Sequence, residues 1–225
     1  MLLKSIRTLF YMELVLHIRR SQEWLYPIFF FCMAVSFLPF ILSQELAIQS
    51  MASIAPGYFW IIAVFSSILS IQTFLASDFD DKHLEQIMLS PTPFYFSIMI
   101  KLFVQWLLTQ LPLILLTPFL ALLFGLDKET ILLLCSTLLI GTPVLTLVGS
   151  FAMALSFGIK QSATLLSLLI LPLITPIFIF GVNIIVQANA GLAINGSIAF
   201  LAGLPMLSLV ILPALISYVL MLTME

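Results

Sequence analysis

Six apolar runs dominate the chain, bounded near Leu25 to Leu42, Tyr58 to Ser77, Ile98 to Phe124, Ile131 to Phe157, Ala163 to Ala188 and Ile198 to Leu222. At about 1.5 Å of rise per helical residue, each is long enough to cross roughly 30 Å of hydrocarbon. Within a bilayer the backbone N–H and C=O groups have no water to bond, so runs of this kind fold as helices that satisfy them internally. The expectation is an all-α membrane protein with six transmembrane helices. Composition agrees: of 225 residues, 62% are hydrophobic and 8% charged, against about a quarter charged in soluble domains. No repeat, low-complexity tract or linker divides the chain, so residues 1–225 read as one domain.

The few charges are concentrated. Six of the twenty Lys, Arg, Asp, Glu and His side chains fall within Asp78 to Glu85, between the second and third runs. Ser77 to Asp80 and Asp78 to Asp81 each offer a cap residue followed by an acid three positions on, which suits the positive end of a helix dipole. Leu84, Ile87 and Met88 then recur at helical spacing, and Ser90-Pro91 ends the segment because proline disfavours helical geometry in the residue before it. A short helix over residues 78–90 is expected, either a solvated surface turn or a docking element.

Residues 2 to 20 alternate in a helical rhythm. Leu2, Leu3, Ile6, Leu9, Phe10, Leu14 and Leu16 face one way, and Lys4, Arg7, Thr8, Tyr11 and Arg19 face the other. Such a helix lies in the headgroup layer, its apolar face in lipid or against the spans. Glu13, His17 and Arg20 interrupt the apolar side at spacings of four and three, which permits them to pair locally. Lys4, Arg7, Arg19, Arg20, Lys82, Lys101 and Lys160 fall on or near one side of the membrane and Lys128 alone on the other. By the positive-inside rule both termini and the Asp78 to Glu85 segment are cytoplasmic. Opposite them lie Ser43 to Gly57, Gly125 to Thr130 and Asn189 to Ser197. Glu13, Arg19, Arg20 and Glu23 delay the first long apolar run, unlike a cleaved signal peptide, so the N-terminus is expected to be retained.

Within the third run Lys101, Gln105 and Thr109 form a polar line at intervals of four, beside Trp106, and a line of this kind faces protein rather than lipid. Lys101 stands near the cytoplasmic end, where it either snorkels to water or pairs. Ser150, Ala154 and Gly158 make a small-residue ridge suited to close helix packing. Pro172 and Pro176 share a face of the fifth run, making it a candidate hinge.

Several chemistries are missing from the sequence. There is no Gly-x-x-x-x-Gly-Lys-Ser/Thr phosphate loop, so any ATP must be handled by a partner. No Asp, Glu or His lies deep in a run, as an ion-coupled carrier would need. His17 and His83 sit in cytoplasmic segments, away from any bis-histidine haem within the membrane. Intramembrane proteolysis lacks both a Ser–His pair and an Asp pair. Cys32 and Cys135 have no neighbouring Cys or His at metal-ligand spacing and read as small apolar side chains. The net charge of -2 gives no reason to expect nucleic acid as a partner. No catalytic, cofactor or metal residue is assigned, and the chain reads as a non-catalytic subunit driven from outside.

In architecture this resembles the membrane subunit of type-2 ABC exporters, with an N-terminal interface helix (1–22) and a coupling helix (78–90) between spans two and three. More specific are Ala55-Pro56-Gly57, Leu84 through Pro91 (Leu-Glu-Gln-Ile-Met-Leu-Ser-Pro), Lys101 with Trp106, Leu111-Pro112-Leu113, Gly141-Thr142-Pro143, Gly158-Ile159-Lys160 and Leu165 through Leu173. In that order, over nearly the whole chain, they resemble the haem exporter protein B family, the permease subunit of the cytochrome c maturation system.

The resemblance implies a bacterial inner-membrane complex of two such permeases, two ATPase subunits, a haem-handling membrane protein and a small single-span protein. Haem passes to a periplasmic chaperone, with ATP and Mg held by the ATPase and ATP hydrolysis tied to release of the loaded chaperone. Leu84, Ile87 and Met88 would enter the ATPase groove, with Asp78, Asp81, Glu85 and Gln86 on the same coupling segment and Asp81 and Glu85 pairing to basic residues on its rim. Two positions depart from the pattern. Gln105 stands where a His is expected, which undermines a haem-ligand role there, and Lys82 stands where a glycine is usual, which keeps the coupling turn helical. Export of another lipid-like or drug-like substrate, and a non-transporting scaffold, are the alternative readings.

Overall fold

The computed structural model describes residues 2–41, 47–75, 93–156 and 162–223. Among these, seven helices follow one another: α1 Leu2–Arg19, α2 Ser21–Ile41, α3 Ala47–Leu75, α4 Phe94–Leu122, α5 Lys128–Ser156, α6 Ser162–Asn189 and α7 Asn195–Thr223. Five stretches within α3 to α7 are long and apolar enough to cross a membrane: Ala52–Thr73, Phe94–Leu122, Lys128–Ser156, Ile170–Asn189 and Asn195–Leu222. The protein is therefore a multi-pass helical membrane protein. α2 spans 21 residues and opens on Ser21, Gln22, Glu23 and Trp24; it is not among these five stretches. The segment from Asp78 to Ser90 lies outside the described residues, as does Gly158 of the small-residue ridge.

Two boundaries differ from the sequence expectation. The interface helix, expected over residues 1–22, stops at Arg19, and α2 begins at Ser21 instead of near Leu25. Arg20 alone makes the elbow, its amide bonding the His17 carbonyl at 3.1 Å and its carbonyl accepting from the Glu23 amide at 3.0 Å. Secondly, Ala47 to Gly57, expected in a loop, forms the first turns of α3. Pro56 sits inside that helix, where intramembrane packing tolerates a proline that an isolated helix would not.

Helix directions follow from which residues meet. A Cβ built at Gly141 of α5 or at Gly181 of α6 would overlap the Trp60 ring of α3, and one at Gly149 would overlap Ile71. Trp60 and Ile71 thus meet Gly141 and Gly149 in the same order, so α3 and α5 run parallel. Gly181 meets Trp60 while Ile170 lies beside the Gly149–Ile71 contact, so α6 runs antiparallel to both. α5 is the hub, packing against α3, α4, α6 and α7. Trp60 is fully buried, and its indole N–H donates to Thr137 Oγ1 at 3.3 Å.

α2 and α3 are joined by a different device. The Tyr58 hydroxyl donates to the Ala34 carbonyl, Ser66 Oγ to the Pro27 carbonyl at 2.7 Å and Thr73 Oγ1 to the Glu23 carbonyl at 3.0 Å. The pairing descends on one helix as it rises on the other, so these two are antiparallel. α6 continues unbroken through Pro172 and Pro176, both at its exposed surface.

At the end remote from α1 the connections are tight. Gly125 and Gly191 take φ of 66° and 69°, the left-handed region where a Cβ would be strained. The Leu192 amide reaches back to the Gln187 carbonyl and the Gly191 amide to that of Ala188, both at 2.9 Å, closing the end of α6. Asp127 precedes α5 and accepts from the Thr130 amide at 3.2 Å. The Thr130 side chain first, and its amide second, hold the Asp127 carboxyl below its ordinary value.

Two outcomes follow. Gly181→Val lowers the thermal stability of the purified protein, at a cost of about 1–3 kcal/mol for overpacking, and Trp60→Leu in the same chain recovers part of the loss. Asp127→Ala costs about 1 kcal/mol as a lost helix cap. Because the folded carboxyl titrates below its unfolded value, this contribution is present above the ordinary carboxylate range and fades as pH falls through and below it. The gap in melting temperature between Asp127→Ala and the parent therefore closes in acid.

Candidate functional site: a charged knot where the surface helix meets the spans

Four elements converge at the other end of the bundle. α1 delivers Glu13 and His17, the elbow Arg20, the first turn of α2 Glu23, and the second turn of α4 Lys101. His17 Nδ1 lies 3.0 Å from Glu23 Oε2, and His17 Nε2 lies 3.4 Å from Glu13 Oε2. Lys101 Nζ sits 3.0 Å from Glu13 Oε1 and 3.1 Å from its Oε2. Arg20 Nη1 donates to Glu23 Oε1 at 3.3 Å. The side chains of His17 and Lys101 are 0% and 2% exposed and those of Glu13 and Glu23 12% and 15%, while Arg20 stands 44% exposed.

The geometry follows from the helical repeat. Positions 13 and 17 share a face of α1 with Phe10 and Leu14, and that face packs on the cluster that includes Ile98, Leu102 and Val104 of α4. The Phe10 ring meets Phe103 at 6.2 Å. Polar groups on the packed side need partners, since an unpaired buried charge is costly. Glu13 meets that need through Lys101, the pairing alternative for this lysine. Leu16, which shares the apolar face expected in lipid or against the spans, is exposed along with Tyr11, Met12 and Ile18. The packed stripe is narrower than the amphipathic pattern, because α1 touches the spans along one line only.

Two further polar residues of α4 strap it to different neighbours. Gln105 Nε2 reaches Ser70 Oγ of α3 at 3.5 Å, and Trp106 Nε1 donates to Thr142 Oγ1 of α5 at 3.0 Å. Thr109 turns back on its own helix, donating to the Gln105 carbonyl at 2.8 Å. Lys101, Gln105 and Thr109 are all buried, as a protein-facing line requires. An apolar groove of ≈ 230 Å³ lies beside them, bordered by Met99, Phe103, Trp106, Pro143 and Leu209. Among the described residues no three His, Cys, Asp or Glu side chains are placed to hold a metal.

Of the residues singled out in the sequence, Glu13, His17, Arg20 and Lys101 come together; Gln105, Trp106 and Thr109 continue the same helix inward; Pro172 and Pro176 stand apart on α6. Asp78, Asp81, Leu84, Glu85, Gln86, Ile87 and Met88 lie outside the described residues. Sequence reasoning missed Glu23, which binds both His17 and Arg20, and Thr142, where Trp106 docks. Glu23 lies six positions after His17, a spacing with no meaning on one straight helix, and only the elbow at Arg20 makes it contact.

Lys101→Met leaves Glu13 buried beside His17 without its ammonium and destabilises the protein by roughly 3–5 kcal/mol, whereas Lys101→Met with Glu13→Met recovers most of that. Thermal denaturation of the three proteins in one detergent measures the difference.

A family model described as CcmB protein matches residues 4–222. Heme exporter protein B of Haemophilus influenzae is 37% identical over 192 residues, 85% of this chain and 86% of that protein. The Pseudomonas aeruginosa protein of the same name is 36% identical over 195 residues, 87% and 86% of the two chains. That of Rhodobacter capsulatus is 35% identical over 208 residues, 92% and 94%. The match runs from α1 into the last turn of α7, through the knot and the Gly141-Thr142-Pro143 block that receives Trp60 and Trp106, and the chain belongs to the CcmB, or haem exporter protein B, family.

Proposed function

We propose that this chain is the membrane subunit of an ABC transporter complex that serves haem export and delivery for c-type cytochrome biogenesis. The observation that carries the reading is the family match over residues 4–222, with relatives named heme exporter protein B. In this reading α2 supplies the sixth span, both termini are cytoplasmic, and the protein resides in the bacterial inner membrane. Residues 78–90 form the coupling helix, its Leu84, Ile87 and Met88 seated in a partner ATPase that binds ATP and Mg. Two copies of the permease assemble with two ATPase subunits, a haem-handling membrane protein and a small single-span protein, and ATP hydrolysis releases a haem-loaded periplasmic chaperone.

The knot supports a mechanical role for α1. A partner that moves the cytoplasmic ends of α3 and α4, which flank residues 78–90, pulls on Lys101 and Thr73. These are tied to Glu13 and to the Glu23 backbone, so the surface helix and α2 follow. Pro172 and Pro176 offer α6 a place to bend.

Deleting the chain abolishes every c-type cytochrome and spares b-type cytochromes, as read by haem staining and difference spectra. Loss of a different exported compound with c-type cytochromes intact points instead to an exporter of another lipid-like or drug-like substrate. Asp81→Lys with Glu85→Lys leaves the protein inserted but uncouples the ATPase, lowering c-type cytochromes. Unchanged ATPase capture and unchanged cytochromes would refute the coupling assignment. A scaffold, unlike a transporter, would keep supporting cytochrome maturation beside a hydrolysis-dead ATPase.

A further inference from the structure

Several hydroxyls inside the bundle are satisfied by their own helix. Thr109, Thr117, Ser150 and Ser156 each donate to the carbonyl four residues back, at 2.7 to 3.0 Å. Three groups at the seam between α3 and α4 behave differently. Ser67 is 0% exposed, and its Oγ has no hydrogen-bond partner among the described residues. Gln105, 1% exposed, spends its Nε2 on Ser70 Oγ at 3.5 Å and leaves its Oε1 without a partner. Ser70, fully buried as well, accepts that bond and keeps its own hydrogen to give. Exchanging the oxygen and nitrogen of the Gln105 amide does not help. Oε1 then accepts from Ser70, and the two N–H donors are stranded instead. A polar group buried in this way costs free energy, and lipid offers it nothing.

The three groups belong to one place. Ser67 and Ser70 lie three residues apart on one face of α3, with roughly 5–6 Å between their Cβ atoms, and Gln105 already touches Ser70. Two O–H···O bonds of about 2.8 Å meeting at a single oxygen span such a gap. The seam is also loose: of the helices packed on α3, α4 is the least engaged, and 3.5 Å is a stretched contact for an amide on a hydroxyl.

The inventory of donors and acceptors names the occupant. Two hydroxyl hydrogens need an acceptor, and one carbonyl oxygen needs a donor. A cation would meet only neutral oxygens here, one helical turn from Lys101. We propose that the seam binds one water molecule, which accepts from the Ser67 and Ser70 hydroxyls and donates to Gln105 Oε1. Three hydrogen bonds are the usual complement of a buried water. The contact between α3 and α4 is thereby joined through water as well as by the direct Gln105–Ser70 bond. This holds whether or not the protein serves haem export.

The test uses the full chain in lipid bilayers with ¹⁵N on the glutamine side chains, the Gln105 signal being identified by its loss in Gln105→Met. In solid-state spectra that pass magnetisation from water protons into the protein, the Gln105 amide is polarised at short mixing times despite its burial. Ser67→Val, which puts a methyl group where the water sits, removes that transfer. No transfer to Gln105 in the parent, or transfer undiminished in Ser67→Val, overturns the proposal. If Ser67→Val does not fold, the melting temperatures of Ser67→Ala, Gln105→Met and the double variant decide. Each single change lowers the melting temperature, and the double variant loses less than the sum, because both changes break one shared bridge. Single changes that raise it, or losses that simply add, mean two separate dry groups and sink the proposal.

Discussion

Two apolar helix faces gain no hydrophobic energy by leaving lipid for each other, so a membrane bundle must hold itself together by close contact and hydrogen bonds. In this protein one such contact is the indole of Trp60, lodged where Gly141 and Gly181 leave no side chain to exclude it. The absence of a Cβ on both lets α3, α5 and α6 approach around one large ring, and dispersion energy accumulates over its whole surface. The ring's one polar atom is met by Thr137, four residues before Gly141 on the same face of α5. Gly149 repeats the arrangement with Ile71. The remaining helices attach to this centre.

They attach largely through small polar side chains that cost little where their partners are backbone carbonyls or hydroxyls. Tyr58, Ser66 and Thr73 bind α3 to carbonyls of α2, and Trp106 binds α4 to Thr142. The Gly141-Thr142-Pro143 block thus has a packing role: consecutive residues receive Trp60 from α3 and Trp106 from α4. Alongside, Gln105 meets α3, so α4 is in touch with three neighbours through residues only one or two turns apart.

The charged knot is costlier. Lys101 and Glu13 are held together near the end of the bundle, with little water to share their charge, and an ion pair so placed is seldom a net source of stability against apolar packing. Its consequence is geometric: each charge penalises any arrangement that parts it from the other, so α1 rides on α4. His17 and Glu23 add a second constraint across the elbow. Together they make α1 and the adjoining ends of α2, α3 and α4 a single connected piece.

Much of this was legible beforehand. Apolar runs and the rarity of charge required membrane helices, and the spacing of Lys101, Gln105 and Thr109 required a protein-facing side. Glu13, His17 and Arg20 declared themselves as polar interruptions of an apolar stripe. What each would meet was not legible. Lys101 and Glu13 are 88 residues apart, Trp60 and Thr137 are 77 apart, and no local periodicity encodes a contact between separate helices. Which part of the apolar face of α1 the spans would cover, leaving Leu16 outside it, was not legible either, because a helical wheel shows which face is apolar but not how much of it the neighbours cover. The break at Arg20 escaped because neither proline nor glycine marks it.

The sequence by itself determined the class of the molecule, since backbone groups in hydrocarbon have few ways to be satisfied and the runs have the length of helices. It also determined the family, through short blocks in a fixed order. Only the tertiary structure decided which helices touch, that α5 lies at the centre, and that the surface helix is tied to α4 by charge. Helix formation depends on bonds four residues apart; helix assembly depends on shape and charge matching between positions that the chain brings together only when the bundle closes.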